Sequence, residues 1–401
     1  MDPADIVLRF LESAGRPDEA RFYLARFRAA PKEQFAAIAV DANIVRHAIE
    51  AVVLDLRFLV ALGLAPVVVL GLFDSASAFS HAARIHRRLA HAGASAVILR
   101  GDDPELHEKA AGAARAGIVP LVALGSREGA LPEDRVVCLG RLLAALSTRK
   151  LVFVHHRGGL APNGKLVPLL ALTEDAPPPA AALYGASRNQ RLIVAQSKRL
   201  IFELVPHEVL VAMTSPLNLL RELFTVKGAG TLIRRQARIV RFQGWQGVDE
   251  ERLRDLLTSS FGRPASSKLF DRPIQSVYLE TTYRGAAILV DTPLGAYLTK
   301  FAVGRDAQGE GLGRDLWNAI FADCRKVFWR ARPENPIVDW YTKIADGIVR
   351  YPEWTIFWKG LEIEQVSDAV AYALAQPIDL PARADGIAAG VGVRDVEADD
   401  D

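Results

Sequence analysis

The chain has few cysteines, and its histidines and tryptophans are unevenly placed. Only two cysteines occur, Cys138 and Cys324, both among apolar neighbours, which favours buried thiols in a reducing compartment and gives no metal-ligand spacing. All eight histidines lie at or before His207, and all six tryptophans lie at or after Trp245. This asymmetry predicts two domains joined within Ala237–Gly247. Any chemistry of the second half must therefore proceed without histidine.

The chain also lacks a strong charge bias and a long hydrophobic run. Its 49 basic and 47 acidic residues give a net charge of +2, which provides no general attraction to nucleic acid or to an anionic membrane. The most hydrophobic run, Ala61–Phe73, is too short to span a bilayer and contains Pro66. The first residues are acidic and amphipathic, without a basic and then apolar signal segment. We therefore expect a cytoplasmic protein of two to three domains that binds neither membrane nor nucleic acid.

The first half alternates β-prone and helical segments. The expected strands are Phe35–Val40, Pro66–Leu70, Ala96–Leu99, Val119–Ala123, Leu151–Val154 and Val209–Ala212. The expected helices are Asp18–Ala30, Ile44–Leu62, Ala78–Ala92 and Ser187–Glu203, and Ala176–Ala182 is expected to be a loop. Strands that alternate with helices predict a mainly parallel sheet covered on both faces.

The second half is organised around the segment Tyr297–Tyr341. A β-prone run, Tyr297–Val303, leads into the turn Gln308–Gly313, which reads QGEGLG. One buried helix face is then predicted from apolar residues at about one-turn intervals, namely Leu316, Ile320, Cys324 and Val327. Glycines let the backbone approach an anion, and the first N–H groups of the helix point toward it. The segment therefore predicts a phosphate-binding turn that is neither a dinucleotide fingerprint nor a Walker A loop.

The rest of the second half has recognisable helix and strand patterns. Apolar spacing predicts a helix that begins near Val248 and ends near Gly262. The expected strands are Ser276–Thr281, Ala286–Val290, Val327–Trp329 and Ile356–Trp358, the first two forming a hairpin around Tyr283–Gly285, and a helix is expected at Gln365–Leu374.

Several motifs of the second half resemble a known family. The turn Q-x-x-G-x-G between a strand and a helix resembles the pyrophosphate loop of GCN5-related N-acetyltransferases (GNAT), which bind acetyl-CoA. The sequences YLTKF, FWRAR, NPIVDWY and WTIFWKG resemble the acetyltransferase domain of N-acetylglutamate synthases, in the branch that includes the animal enzymes and the bacterial synthase–kinases. The resemblance runs from about Asp18 to Gln376. It implies acetyl transfer from acetyl-CoA to the α-amine of L-glutamate, in arginine or ornithine biosynthesis, without a metal.

The first half resembles the amino-acid kinase fold of N-acetylglutamate kinases. The sequences FAAIAVD, LGLAPVVVLG, KLVFVHHRGGL and LRELFTVKGAGTLIRR occur in the order that this family uses. The kinase signatures are absent, because Asp41-Ala42-Asn43 stands in place of a lysine and paired glycines. The glycine turn after the second strand is reduced to Gly71-Leu72-Phe73, and His155-His156-Arg157 replaces an acidic residue. Phosphoryl transfer depends on such phosphate-cradling groups, so we expect a domain without kinase activity.

The resemblance implies a two-domain α/β architecture. Residues 1–240 would form an amino-acid-kinase-like αβα sandwich with a mainly parallel sheet, and residues 241–380 a GNAT-type mixed α/β acetyltransferase domain. The tail 381–401, which is acidic and low in aromatic residues, is expected to be disordered. Amino-acid kinase domains commonly pair, so a homo-oligomer, either dimer or tetramer, is also implied.

The resemblance assigns roles to particular residues of the second half. Tyr297 with Asn335, acting through water, would remove a proton from the amine, and Tyr341 would protonate the CoA thiolate. Substrate carboxylates would bind Lys300, Arg330 and Arg263. Acetyl-CoA would bind the strand and the turn through Phe301, Val303, Gln308, Gly309, Gly311 and Gly313. Cys324, predicted on a buried helix face, is not expected to form an acyl-enzyme.

Two features of the first half carry open alternatives. Glu222 and Gly228 match positions that belong to an arginine-binding pocket in related proteins, or else form only a helix end and a turn. The pair His155-His156 reads as strand-end packing rather than a metal site. Three functions stay open: a synthase with a dead kinase domain, a bifunctional synthase–kinase, and a non-catalytic arginine-sensing subunit.

Overall fold

The computed structural model describes residues 17–125, 132–225, 228–264, 269–305 and 307–378. These residues fall into two compact units that divide between Arg235 and Gln236. The strand Ile239–Gln243 belongs to the second unit, within the segment expected to join the domains. The tail 381–401 lies outside the described residues. Within the described residues, no helix is long and apolar enough to cross a membrane.

The first unit is an αβα sandwich. Its strands are β1 (Ala37–Val40), β2 (Val67–Leu70), β3 (Ala96–Arg100), β4 (Val119–Ala123), β5 (Lys150–Val154), β6 (Leu169–Leu172), β7 (Leu210–Thr214) and β8 (Thr231–Arg235). Its helices are α1 (Pro17–Ala29), α2 (Ala42–His47), α3 (Ile49–Ala61), α4 (Ala78–His91), α5 (Leu106–Arg115), α6 (Pro132–Leu146), α7 (Arg188–Arg199) and α8 (Leu219–Phe224). The sheet order is β3-β4-β2-β1-β5-β7-β8-β6, and only the pair β7–β8 is antiparallel. The predicted mainly parallel sheet is confirmed.

Alternation along the central strands explains the layers. Ile38 and Val40 pack into one core with α1, α3, α4 and α8, whereas Ala37 and Ala39 face a second core with α5, α6 and α7. All four residues of β1 are buried, as expected for a strand covered on both faces. The segment predicted as one helix at Ile44–Leu62 is broken at Ala48, whose φ and ψ of −140° and 29° separate α2 from α3.

The second unit has a mixed seven-stranded sheet. Its strands are β9 (Ile239–Gln243), β10 (Ser276–Glu280), β11 (Gly285–Thr292), β12 (Gly295–Val303), β13 (Val327–Ala331), β14 (Gly347–Arg350) and β15 (Thr355–Lys359). Its helices are α9 (Glu250–Phe261), α10 (Leu312–Asp323), α11 (Val338–Ile344) and α12 (Ile363–Ala375). The order is β14-β15-β13-β12-β11-β10-β9, and only β12 and β13 run parallel.

Each face of this sheet is covered by two helices. The helices α10 and α11 pack on one face against residues such as Leu298, Phe301 and Val303. The other face is covered by α9, which packs on Ala302, and by α12, which packs on Tyr297. The unit is therefore a three-layer structure whose glycine turn lies between β12 and α10.

Two local predictions in this unit have opposite outcomes. The helix α9 ends at Gly262, whose φ of 68° is left-handed, as the sequence predicts for a glycine after the last apolar position. The helix α10 ends at Asp323, so Cys324 and Val327 do not extend its buried face, and Val327 instead begins β13. The apolar spacing continued past the helix only because the next strand is also buried.

Candidate active site

The strands β12 and β13 are adjacent for only part of their length. Their parallel ladder joins Ala296–Leu298 to Val327–Trp329 and stops there, although β12 continues to Val303. A bulge at Thr299 interrupts the pairing of β12 with β11, because Leu298 pairs with Leu289 and Lys300 with Ile288. A bulge bends its strand, so β12 turns away from β13 at this point. Beyond Leu298, the β13-facing edge of β12 pairs with no strand of the described residues, which leaves a slot between the two strands.

The slot opens toward the glycine turn that begins α10. Gly309 and Gly311 have φ angles of 81° and 80°, and Gly311 is the N-cap of the helix. The turn is fixed from behind, where the Gly304 N–H donates to the Arg284 carbonyl at 2.8 Å and the Ala307 N–H donates to the Gly304 carbonyl at 3.0 Å. The first N–H groups of a helix have no intrahelical acceptor and lie at the positive end of its dipole. The turn can therefore bind a pyrophosphate.

A buried ion pair holds the turn in place. The Glu310 carboxylate is buried within the turn, and its Oε2 lies 2.8 Å from Nη1 of Arg284. Glu280 supports the same hairpin, because its Oε2 accepts hydrogen bonds from the N–H groups of Thr282 and Arg284. Arg284 thus neutralises a carboxylate that would otherwise repel a bound phosphate. No sequence pattern indicates this pair, whose two members lie 26 positions apart.

An aromatic cluster forms the α10 and α11 side of the slot. Tyr341, on α11, is almost fully buried, and its ring lies 6.3 Å from that of Phe301 on β12 and 5.9 Å from that of Trp317 on α10. Burial raises the pKa of the Tyr341 phenol far above its usual value. The phenol is therefore protonated at neutral pH, and it can donate a proton but cannot serve as a base. Phe301, Val303 and Tyr341 thus belong to one cluster with the start of α10.

Tyr297 lies on the other face of the sheet. Its ring is buried against Phe328 at 5.2 Å and against Tyr372 of α12 at 5.4 Å. Asn335 lies in the loop after β13, where its Oδ1 accepts a hydrogen bond from the Ile337 N–H at 3.2 Å. The α12 face thus holds Tyr297, whereas Tyr341 packs on the α11 face. The two tyrosines therefore lie on opposite faces of the sheet, and Tyr297 belongs to the stretch of β12 that still pairs with β13.

The three cationic side chains predicted to bind the substrate carboxylates differ in their surroundings. Lys300 is half-buried, and alternation from Phe301 directs it to the α9 and α12 face, where its Nζ lies 3.2 Å from the Thr299 carbonyl. Arg263 directly follows Gly262 at the end of α9, and its Nε is buried. Arg330 donates its hydrogen bonds to the end of α12.

The Arg330 guanidinium caps the C-terminus of α12. It donates hydrogen bonds to the carbonyls of Ala373, Leu374, Gln376 and Pro377 at 2.8–3.2 Å. It also stacks over the Trp354 ring at 3.9 Å. These carbonyls have no acceptor role inside the helix, and a cation there also interacts favourably with the helix dipole. The geometry gives Arg330 a structural function at the end of α12.

The Glu222 carboxylate in the first unit is fully enclosed. It is 0% exposed, its Oε2 accepts from the Ala229 N–H at 2.9 Å, and its Oε1 lies 3.6 Å from the Lys150 ammonium. Gly228 forms the turn beside it, with its N–H donating to Thr225 Oγ1 at 3.1 Å. Both residues therefore hold the end of α8 to the sheet. A guanidinium that binds Oε1 of Glu222 would compete with the Lys150 ammonium.

The histidine pair packs at the end of β5. The rings of His155 and His156 lie 4.3 Å apart, and His155 is fully buried. Within the part of the chain that the structure describes, no three His, Cys, Asp or Glu side chains are grouped so that they could hold a metal ion.

Comparisons with known proteins agree with this geometry. A family model described as "NAT, N-acetyltransferase, of N-acetylglutamate synthase" matches residues 239–376. A protein named acetylglutamate kinase from Xanthomonas campestris pv. campestris is 31% identical, over 88% of this chain and 97% of its own length. Human mitochondrial N-acetylglutamate synthase is 30% identical, over 92% of this chain and 78% of its own length.

A solved structure is similar in fold. It is the N-acetylglutamate synthase from Neisseria gonorrhoeae complexed with coenzyme A and L-arginine, which aligns over 85% of this chain and 97% of that chain with a TM-score of 0.50. Its sequence identity is 15%, so the likeness concerns the fold alone.

The second unit is thus an N-acetyltransferase domain of mixed α/β architecture, preceded by an amino-acid-kinase-like αβα unit. The chain belongs to the N-acetylglutamate synthase family, and the two relatives named above bear a kinase name and a synthase name.

Proposed function

We propose that this chain is an N-acetylglutamate synthase, which transfers the acetyl group of acetyl-CoA to the α-amine of L-glutamate in arginine or ornithine biosynthesis. The observation that carries the proposal is the slot between β12 and β13 beside the glycine turn of α10. A thioester can enter along the unpaired edge of β12 while its pyrophosphate stays at the helix N-terminus. Family membership, shown by the relatives above, supports the choice of substrates.

Acetyl-CoA would be held by backbone groups. The N–H groups of the turn residues Gln308, Gly309, Gly311 and Gly313 would bind the pyrophosphate, with Arg284 cancelling the charge of Glu310. The strand from Phe301 to Val303 would accommodate the pantetheine arm. A backbone N–H of the same strand would polarise the thioester carbonyl, where negative charge develops during attack.

L-Glutamate would bind on the α9 and α12 face. Its two carboxylates require two cationic donors, which Lys300 and Arg263 would provide. Because Arg330 already donates to four carbonyls at the C-terminus of α12 and just after it, we assign it the role of holding that helix and, through it, the Tyr297 wall of the site. A direct contact between Arg330 and the substrate would require the guanidinium to exchange one of these bonds.

The reaction would proceed by direct transfer in a ternary complex. The neutral amine attacks the thioester carbon, and its surplus proton passes to a water oriented by Tyr297 and Asn335 and from there to solvent. The tetrahedral intermediate then breaks its C–S bond, and the departing CoA sulfur takes a proton from Tyr341. Tyr341 holds its proton at neutral pH, and because burial raises its pKa, the bound substrates would have to lower that pKa before the transfer, after which the phenolate regains a proton from solvent. Cys324 follows α10 and is not required as an acyl carrier.

Kinase activity is the second candidate, favoured by the kinase name of several relatives. It is opposed by the residues at the carboxyl end of β1, where Asp41 and Asn43 stand and no lysine is available. A carboxylate at this position repels phosphates instead of neutralising them. An assay for ATP-dependent phosphorylation of N-acetyl-L-glutamate should therefore give no product.

The remaining assignments concern regulation, assembly and location. The Neisseria gonorrhoeae structure contains L-arginine, which supports arginine as an effector here, at Glu222 and Gly228 if Lys150 gives way. We propose a homo-oligomer, either dimer or tetramer. The two free cysteines suit a reducing compartment such as the cytoplasm, although the human relative is mitochondrial by name.

The decisive experiment measures free thiol released from acetyl-CoA with and without L-glutamate. Release that depends on glutamate supports the synthase, and its absence would leave the non-catalytic arginine-sensing subunit. Tyr341→Phe should lower kcat by about 10²–10⁴-fold with little change in either KM, because the ring still fills its site and only the donated proton is lost. Tyr184→Phe is the matched control, since Tyr184 is 67% exposed and lies in the other unit. An unchanged kcat in Tyr341→Phe would refute the assigned role.

A further inference from the structure

A cavity lies at the carboxyl ends of the central parallel strands of the first unit. Its volume is about 200 Å³, and its walls include the ends of β1, β2 and β5 with residues of α2 and α7. At about 30 Å³ per water, the cavity holds about seven waters. Ligands of open α/β sheets characteristically bind outside the carboxyl ends of the strands. The position is therefore one where a small ligand is expected, and the lining decides which kind.

The charged lining is predominantly acidic. Asp41 and Asp74 supply two carboxylates, and Arg46 supplies one guanidinium. Arg46 is already paired, because its Nη2 lies 2.6 Å from Oδ2 of Asp74 at the mouth of the cavity. The amides of Asn43 and Asn189 are neutral. The cavity thus carries a net negative charge, and its guanidinium is not available to balance Asp41.

Asp41 is held in one orientation. Its Oδ1 accepts the Asn43 N–H at 2.8 Å as the N-cap of α2, and its Oδ2 accepts Asn189 Nδ2 at 3.1 Å. Each carboxylate oxygen has two acceptor sites, so both oxygens can still accept from a ligand. A carboxylate fixed in this way by a helix and an amide is already oriented for binding, and little entropy is lost when a donor arrives.

His155 adds no positive charge to this region. It follows the lining residue Val154 and is fully buried, and its Nδ1 accepts the Arg157 N–H at 3.2 Å. Burial, reinforced by His156, lowers the pKa of His155 to about 4 against the opposing effect of Asp41. The ring is therefore neutral at pH 7, with its proton on Nε2, and that nitrogen has no hydrogen-bond partner among the described residues. Asp41 consequently keeps an unbalanced charge next to the cavity.

We propose that this cavity is a binding site for a small organic cation, an amine or a guanidinium, whose charge is held by Asp41, while Asp74 at the mouth keeps Arg46 from repelling the ligand. The apolar walls, which include Phe73 and Phe153, would enclose the aliphatic part of the ligand. The site would be selective against phosphates and nucleotides, because their charge has the wrong sign for this lining. It is distinct from the acetyl-transfer site in the second unit and does not depend on the function proposed for it.

Calorimetric titration of the full-length chain tests the proposal. The cationic probes are agmatine, putrescine, L-ornithine and L-arginine, and the anionic probes are inorganic phosphate, ATP and N-acetyl-L-glutamate. At least one cation should bind with a Kd of about 1 mM or tighter, and the anionic probes should bind this site more weakly. Asp41→Asn should weaken that binding by at least about tenfold, since an ion pair near a protein surface is replaced by a neutral contact.

The variants are chosen so that folding and charge can be separated. Asparagine is as good an N-cap as aspartate, so Asp41→Asn preserves the start of α2. Asp175→Asn makes the same charge change at an exposed position of the first unit and should leave the Kd unchanged. Far-UV circular dichroism and glutamate-dependent thiol release of each variant report folding and the acetyl-transfer site independently.

Three results would overturn the proposal. One is that no cationic probe binds. Another is that a cation binds equally well to Asp41→Asn, which for L-arginine would point to the Glu222 region instead. The third is that phosphate or ATP competes with the cation for the same site at lower concentration.

Discussion

Asp55 gives the first unit a pH-dependent stability. It lies on α3 among the core residues Val52, Leu56 and Leu59, is only 9% exposed, and its Oδ2 has no hydrogen-bond partner among the described residues. Burial raises the pKa of Asp55 from 3.8 to about 7. In the unfolded chain the carboxyl ionises near pH 4, so the unfolded state loses its proton first. The carboxyl therefore destabilises the fold progressively as the pH rises from about 4 to about 7.

The magnitude follows from the two pKa values. Between pH 5 and pH 8, the difference in proton binding amounts to roughly 2 pKa units, or about 2.6 kcal/mol at 1.36 kcal/mol per unit. Local opening of the helix and the residual exposure reduce this figure to about 1–2.5 kcal/mol. Asp55→Asn removes the ionisation, so the variant should gain about this much relative to the wild type between pH 5 and pH 8. The pH-independent cost of burying the amide cancels in the comparison of the two pH values.

The unfolding assay can distinguish the units because all six tryptophans lie in the second. A far-UV circular dichroism transition in urea without a matching change in tryptophan fluorescence belongs to the first unit. Its free energy should depend less steeply on pH in Asp55→Asn than in the wild type, whereas Asp175→Asn, at an exposed site, should follow the wild type. If the difference in the free energy of unfolding between the wild type and Asp55→Asn stays constant from pH 5 to pH 8, folding does not raise the pKa of Asp55 and the reasoning is wrong.

Three further perturbations test other features. Lys150→Met removes the cation next to the buried Glu222 carboxylate and should lower the free energy of unfolding in urea by about 3 kcal/mol. Adding Glu222→Gln should restore at least half of this loss. A double variant as unstable as Lys150→Met would contradict a charge effect. Gly311→Ala should lower the free energy of unfolding by about 1–2 kcal/mol, because φ is 80°, and it should raise the KM for acetyl-CoA. The control Gly185→Ala, with φ of 67° and open space around it, should lower the free energy of unfolding equally and leave that KM unchanged. Arg330→Lys should destabilise the second unit by about 1–3 kcal/mol through loss of the guanidinium fork, and a raised KM for glutamate at unchanged stability would assign Arg330 to the substrate instead.

Sequence patterns predict the buried parallel strands well. Runs such as PVVVL at Pro66–Leu70 are apolar throughout and fit only a strand covered on both faces, which β2 is. The strands β6, β8, β9 and β14 were not predicted, and two of them end in arginine. Their strand conformation depends on ladder partners, which no local pattern encodes.

The features of the candidate site also differ in how far the sequence predicts them. The glycine turn and its helix can be predicted, since positive φ values demand glycine and the turn stands directly before α10. The bulge at Thr299 has no signature in the side-chain pattern, yet it decides where β12 leaves β13. The capping role of Arg330 depends on carbonyls more than 40 positions away, so the sequence offered only its charge.

The carboxylate of Asp41 belongs to two structures at once, the first turn of α2 and the wall of the cavity. Only substitutions that can still cap the N-terminus of α2 should be tolerated at this position. Asparagine, serine and threonine are good N-caps but remove the charge, whereas glutamate and lysine are poor N-caps. A laboratory selection for altered ligand preference should accordingly recover changes at Asp74 and Asn189 more readily than new charges at residue 41.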